Sequence, residues 1–111
     1  MPNHQTSLDQ VFHALADPTR RAMIERLTRG PASVSELAAP MAMSLAAVMQ
    51  HLQVLEDSHL LHTQKRGRVR MCTIAPDVLA RAEAWLSGRR LFWENQFDQL
   101  GAMLAEDPPQ T

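Results

Sequence analysis

Lys65, Arg66, Arg68 and Arg70 stand within the seven residues QKRGRVR (64–70), grouped around Gly67. Cations packed that closely suit a polyanion: ammonium and guanidinium groups bond phosphate oxygens, and Arg also enters the minor groove of a duplex. A second group lies upstream, in SLAAVMQHLQVLED (44–57). Gln50 and Gln53 each carry a donor and an acceptor on one amide, the combination that pairs with an adenine edge. No carboxylate occurs in that stretch before Glu56.

The rest of the composition narrows the choices. The chain has 111 residues, 45% hydrophobic and 21% charged, with a formal net charge of −1. That is enough for one domain with its own core. A near-neutral total means that the basic segment acts through its placement rather than through the sum. Cys72 is the only cysteine, so no intrachain disulfide is possible, and a bacterial-type, cytoplasmic setting is expected. The start MPNHQTS lacks a basic n-region and an apolar h-region, and no apolar run approaches a membrane span, so neither export nor a membrane partner is expected.

Catalysis finds no support. There is no Gly-rich phosphate loop, no nucleophile with a base and an orienting group, and no paired acids, so no catalytic residue is expected. His4, His13, His51, His59 and His62 form no ligand cluster along the sequence, and no His follows Asp77. Neither a metal site nor a cofactor is expected, and nothing in the pattern defines a small-molecule effector. Cys72 is expected half-buried on a strand; with three arginines nearby, a lowered pKa and a redox role remain an alternative.

The elements that position these groups can be read from punctuation. Ser7 with Gln10 forms a capping-box pattern ahead of Leu8, Val11, Phe12 and Leu15, predicting a helix from about Leu8 to Ala16. Asp17-Pro18 starts a second helix with Ala22, Met23, Ile24 and Leu27 inward, and Gly30-Pro31 stops it. Ser33 with Glu36 opens a short third helix that Pro40 ends. Ser44 caps a fourth, reaching about Asp57. At about 100° per residue, Leu45, Val48, Leu52 and Leu55 share its apolar side, Ala46, Ala47, Gln50 and Gln53 face outward, and Met49 and His51 lie on the flanks. Leu60–Gln64 and Val69–Ile74 then read as a β-hairpin with Gly67 at the position needing positive φ. A long helix follows from about 77 to 105. Residues 1–7 are expected to be a flexible terminus, 8–105 one domain, and the proline-rich 106–111 a disordered tail.

Two consecutive short helices, each with a serine cap, have helix-turn-helix spacing, and a basic hairpin directly after them makes a winged helix-turn-helix. The chain is thus expected to be mainly α with a small β-hairpin, and to bind double-stranded DNA. Ser44, Ala46, Ala47, Met49, Gln50, His51 and Gln53 are the candidate recognition-helix residues, and Lys65, Arg66, Gly67, Arg68 and Arg70 the candidate wing. Arg66, Arg68 and Arg70 alternate with other residues, so in an extended strand they would share one face.

The last helix, with Met103 among its apolar residues, carries more apolar surface than one small domain can cover. Trp85, Leu86, Phe92, Trp93, Phe97, Leu100 and Leu104, with Val11, Phe12 and Leu15 of the first helix, are the candidate interface with a second copy of the chain. Gly88-Arg89-Arg90 interrupts that stripe and is a candidate kink.

LADPTRRAMIERL, SVSELA, MSLAAVMQHLQVLEDSHLL and GRVRMCTI together resemble the ArsR family of winged-helix repressors, in that family's order and spacing, over roughly Leu8 to Leu104. The C-terminal WLSGRRLFWENQFDQLGAML is similar to a branch without metal-sensing cysteines. The resemblance implies a homodimer whose terminal helices pair, one recognition helix and one wing per subunit, and repression at a pseudo-palindromic operator. Three departures stand out: Met49 where the family has a small hydroxyl residue, His59 where it has Gly, and no cysteine in SELAAPM where many members bind metal. Two other readings stay open, a winged helix that binds a protein through Met49 and Val54, and a repressor triggered by metal or oxidation.

Overall fold

The structure, a computed structural model, describes residues 7–106. Eight elements follow in order: α1 (Leu8–Leu15), α2 (Pro18–Leu27), β1 (Ala32–Ser33), α3 (Val34–Ala38), α4 (Leu45–Asp57), β2 (Leu61–Arg66), β3 (Val69–Ile74) and α5 (Pro76–Glu106). Ser7 is the cap of α1 and Glu106 the last residue of α5; the other residues of the expected flexible terminus and tail lie outside the described residues.

Helix starts are fixed by side chains that bond free N–H groups. Ser7 and Ser33 each form a reciprocal capping box, with Gln10 and Glu36 respectively. Glu36 is held below the usual carboxylate range, chiefly by the backbone N–H of Ser33. Asp17 Oδ2 accepts from the Arg20 N–H at 3.0 Å, the main reason its carboxyl is likewise lowered, and Pro18 follows at the first helical position. Ser44 Oγ accepts from the Ala47 N–H at 3.1 Å.

The ends are equally local. Gly30 stops α2 at φ +132°. At the end of α4, His59 adopts φ +61°, its N–H donating to Glu56 O at 2.9 Å while the Leu60 N–H donates to Leu55 O at 3.0 Å. This pair of bonds is a Schellman motif, here with histidine at the left-handed position. Leu55 and Leu60, the two positions that flank such a motif with apolar side chains, are both fully buried in the core.

The sheet is antiparallel in the order β1-β3-β2. The two-residue β1 pairs Ala32 with Cys72 and Ser33 with Met71, a strand the sequence pattern did not predict. Val11, Met23, Leu27, Leu37, Val48, Leu55, Leu61 and Cys72 fill the centre of the core. Two expectations are corrected here. Ala22 is exposed, because α2 turns only Met23, Ile24 and Leu27 inward. Cys72 is wholly buried rather than half-buried, and burial pushes its thiol pKa up, the reverse of a reactive thiolate.

Only the start of α5 is anchored. Val78 and Ala82 enter the core, and Trp85 meets Phe12 edge-on with ring centroids 5.7 Å apart. The helix continues unbroken across Gly88, and the molecule measures 76 × 39 × 23 Å.

Candidate nucleic-acid interface

α3 and α4 form the helix-turn-helix, joined by residues 39–44. Val48, Leu52 and Leu55 bind α4 to the core. Its opposite side is not quite the one expected. Leu45 is 60% exposed, because it sits at the first helical position, a turn ahead of Val48, where no element covers it. Ala47 is half-buried instead. The outward face is therefore Leu45, Ala46, Met49, Gln50 and Gln53. Leu45 was missed as a surface residue because periodicity shows which side it shares, not whether that side is covered. Val54 is corrected too: it is half-buried and lines a hollow between α1 and the end of α4, with Asp9, Gln10 and His13, away from the outward face.

The polar groups on α4 differ in how free they are. The Gln53 amide donates to Asp57 Oδ1 at 2.8 Å, one turn on. Gln50 has no such bond among the described residues. His51 is a flank residue tied inward: its Nδ1 lies 3.2 Å from Arg20 Nη1 and 3.9 Å from Asp17 Oδ2. The same guanidinium donates from Nε to Ala14 O at 2.6 Å and from Nη2 to His13 O at 3.1 Å, satisfying carbonyls at the end of α1.

The hairpin β2–β3 stands beside this helix. Arg66 pairs with Val69 across the loop Gly67-Arg68, and Gly67 has φ +63° while Arg68 does not enter positive φ. That is the pattern of a two-residue II′ turn, which follows the twist of the strands. Lys65 stands opposite Arg70 and Arg66 opposite Val69. Directly opposed residues share a face, so Lys65 and Arg70 lie on one face and Arg66 on the other. The expected single face for Arg66, Arg68 and Arg70 is thus corrected: alternation counted along one strand does not carry across a turn. All five residues 65, 66, 67, 68 and 70 are exposed. The like charges of Lys65 and Arg70 repel across the pair, a strain that phosphate oxygens would relieve.

One short chain of bonds joins helix and hairpin. Glu56 Oε2 accepts from the Thr63 N–H at 3.3 Å and from Thr63 Oγ1 at 2.9 Å, and Arg70 Nη1 donates to Thr63 Oγ1 at 2.9 Å. Glu56 is therefore occupied in holding the hairpin against α4.

Of the residues considered for pairing with a second copy, Val11 is fully buried in its own chain, so its side chain has nothing left to offer a partner. Phe12 and Leu15 are half-buried. Trp85, Leu86, Phe92, Trp93, Phe97, Leu100, Met103 and Leu104 are all exposed, and Leu91 joins them. Among the described residues no group of three or more His, Cys, Asp or Glu is arranged to hold a metal, and no helix is long and apolar enough to cross a membrane.

A helix-turn-helix with an exposed second helix and a basic hairpin beside it defines a winged helix-turn-helix DNA-binding regulator. A family described as a helix-turn-helix domain matches residues 15–64. The HTH-type transcriptional regulator Rv2034 of Mycobacterium tuberculosis is 45% identical over 74 residues, 67% of this chain and 69% of that protein. The transcriptional repressor SdpR of Bacillus subtilis is 24% identical over 79 residues, 71% of this chain and 88% of that one. A crystal structure of an ArsR family transcriptional regulator superposes with a TM-score of 0.74 at 49% identity, covering 85% of this chain and 97% of the other. The chain belongs to the ArsR family of winged helix-turn-helix transcriptional regulators.

Proposed function

We propose that the protein is a homodimeric, cytoplasmic repressor that binds a pseudo-palindromic operator, including one upstream of its own gene. The observation that carries this reading is the carboxylate-free, exposed first half of α4 beside the cationic hairpin, with Glu56 and Thr63 fixing one against the other. Ser44, Ala46, Met49, Gln50 and His51 enter or flank the major groove, with Ala47 and Gln53 at its margins. Lys65, Arg66, Arg68 and Arg70 meet phosphates or the neighbouring minor groove, and Gly67 lets the tip turn tightly.

The dimer is supported by the bare apolar half of α5. A row that includes two Trp and two Phe left in water is a strong incentive to pair, at about 2 kcal/mol for each such side chain buried. Twofold pairing would set two recognition helices about 34 Å apart, one turn of DNA. Repression is the direction in the name of the Bacillus subtilis relative, and a dimer seated on a promoter blocks it without any catalysis.

The test is a titration against duplex from immediately upstream of the gene and against a scrambled duplex, at two salt concentrations, for the wild type and Gln50→Ala. Preference for the upstream duplex, weakened by Gln50→Ala, is the expected result. Equal binding to both duplexes would place the operator elsewhere, and no binding at low salt would overturn the DNA interface.

A further inference from the structure

The outward face of α4 carries two side chains that recognition by hydrogen bonding does not use. Leu45 is 60% and Met49 40% exposed, and as i and i+4 they stack on one side of the helix. Both line a groove with Arg68, Val69 and Arg70 of the hairpin, in which Val69 is itself 47% exposed. Single exposed apolar residues are ordinary. Three that converge from two elements, bordered by arginines and next to the unbonded Gln50, form a patch.

What could cover that patch follows from where it lies. It is continuous with the residues that face DNA, and its arginines would repel a basic partner and attract a polyanion. Leu45 has no polar atom and Met49 only a weak sulfur acceptor, so neither can read a base edge by hydrogen bonding. The apolar group that bases display in the major groove is the 5-methyl of thymine. Gln50, on the same face, suits the adenine edge. An A·T pair offers both at once.

The geometry points to Leu45 and Met49 as specificity-determining residues that read thymine 5-methyl groups, with Gln50 reading adenine in the same A·T-rich segment of each half-site. This rests on the DNA-binding reading above and adds to it which bases are chosen and by what contact. Exchanging Met49 for a small hydroxyl residue would then change the preferred site rather than merely weaken binding.

The full chain is used to select bound duplexes from a randomised library. In an enriched site, each thymine is replaced in turn by uracil, which removes one methyl and leaves pairing unchanged. Wild-type protein is expected to lose about fourfold in affinity at one or two thymines per half-site, the worth of one buried methyl-sized group. That loss is expected to vanish in Leu45→Ala or Met49→Ala; both positions are exposed, so the fold is kept. Uracil replacement without effect in a specifically bound site, or with the same effect in the variants, overturns the inference while leaving DNA binding intact; the patch would then suit a protein partner. Failure to enrich any duplex overturns both the inference and the reading beneath it.

Discussion

Arg20 Nη1 lies 3.2 Å from His51 Nδ1, and in the neutral ring that nitrogen is the acceptor. A guanidinium is always protonated and can only donate. Neutral His51 therefore carries its proton on Nε2. One side chain of α2 thus links the end of α1, through two carbonyls, to the recognition helix. Arg20→Met is expected to destabilise the fold by about 2–3 kcal/mol, as bonded carbonyls lose their donor. Urea unfolding gives the energy. Nitrogen-15 shifts of His51 are expected to show the Nε2–H form in the wild type and a tautomer mixture in the variant.

The wing predicts a salt dependence. If Arg66 and Arg68 each neutralise one phosphate, the slope of log K against log salt becomes shallower by about 0.9 for each Ala substitution. Titrations at three or more salt concentrations measure it. An unchanged slope in the double variant would remove these residues from the phosphate contacts.

Exposed aromatic residues on α5 predict the oligomeric state. Wild-type protein is expected to sediment at twice the 12.5 kDa of one chain, and Trp93→Asp or Phe97→Asp at that single mass. Helical circular dichroism of the Val78–Ala82 anchor and the core should be kept, since these positions touch none of it. A wild type that sediments as a monomer at micromolar concentration would sink the dimer.

His59 occupies a left-handed position at φ +61° that costs a residue with a Cβ about 1 kcal/mol. His59→Gly is expected to return about that much, offset in part by the looser unfolded chain. Its side chain is exposed, so DNA affinity should not move. Thermal unfolding that shows no gain would mean the imidazole makes a compensating contact.

Asp17 and Glu36 are both held below the ordinary carboxylate range by helix-start N–H groups. A carboxyl lowered on folding stabilises above its unfolded pKa, and that contribution disappears as pH falls through the folded value. Melting temperature is therefore expected to decline below about pH 4, where carboxylates protonate. The Asp17→Asn, Glu36→Gln double variant should show a shallower decline. Parallel curves for the two proteins would refute the assignment.

The sequence made the element order legible because its signals are local. Serine caps at 7, 33 and 44, the aspartate at 17, and the stops at Gly30 and Pro40 each act within one turn of chain. Gly67 marked the hairpin turn for the same reason. What stayed hidden depends on other elements. β1 is two residues that take their ladder from a strand some 40 residues away, and nothing in Ala32-Ser33 announces it. Leu45 belongs by period to the buried stripe and is bare because the core ends short of it. Val11 reads as one more apolar residue of an interface, yet its own chain encloses it. Arg66 and Arg70 are close in sequence, but the turn puts them on opposite faces. The partner of His51 on α2 had no sequence signal, since 31 residues separate it from Arg20.

α5 is held to its domain only near its beginning, around Val78 and Ala82, and then runs free. At about 1.5 Å per residue, Leu104 lies roughly 33 Å beyond Ala82. In a dimer built on these helices, each is a lever with its fulcrum at the short Phe12–Trp85 seam. Helix and hairpin are locked together by Glu56 and Thr63, so each reading head swings as one piece. A tilt of a few degrees at that seam would throw the two heads out of step with the turn of the double helix, and a signal that releases the operator need alter nothing in the heads themselves.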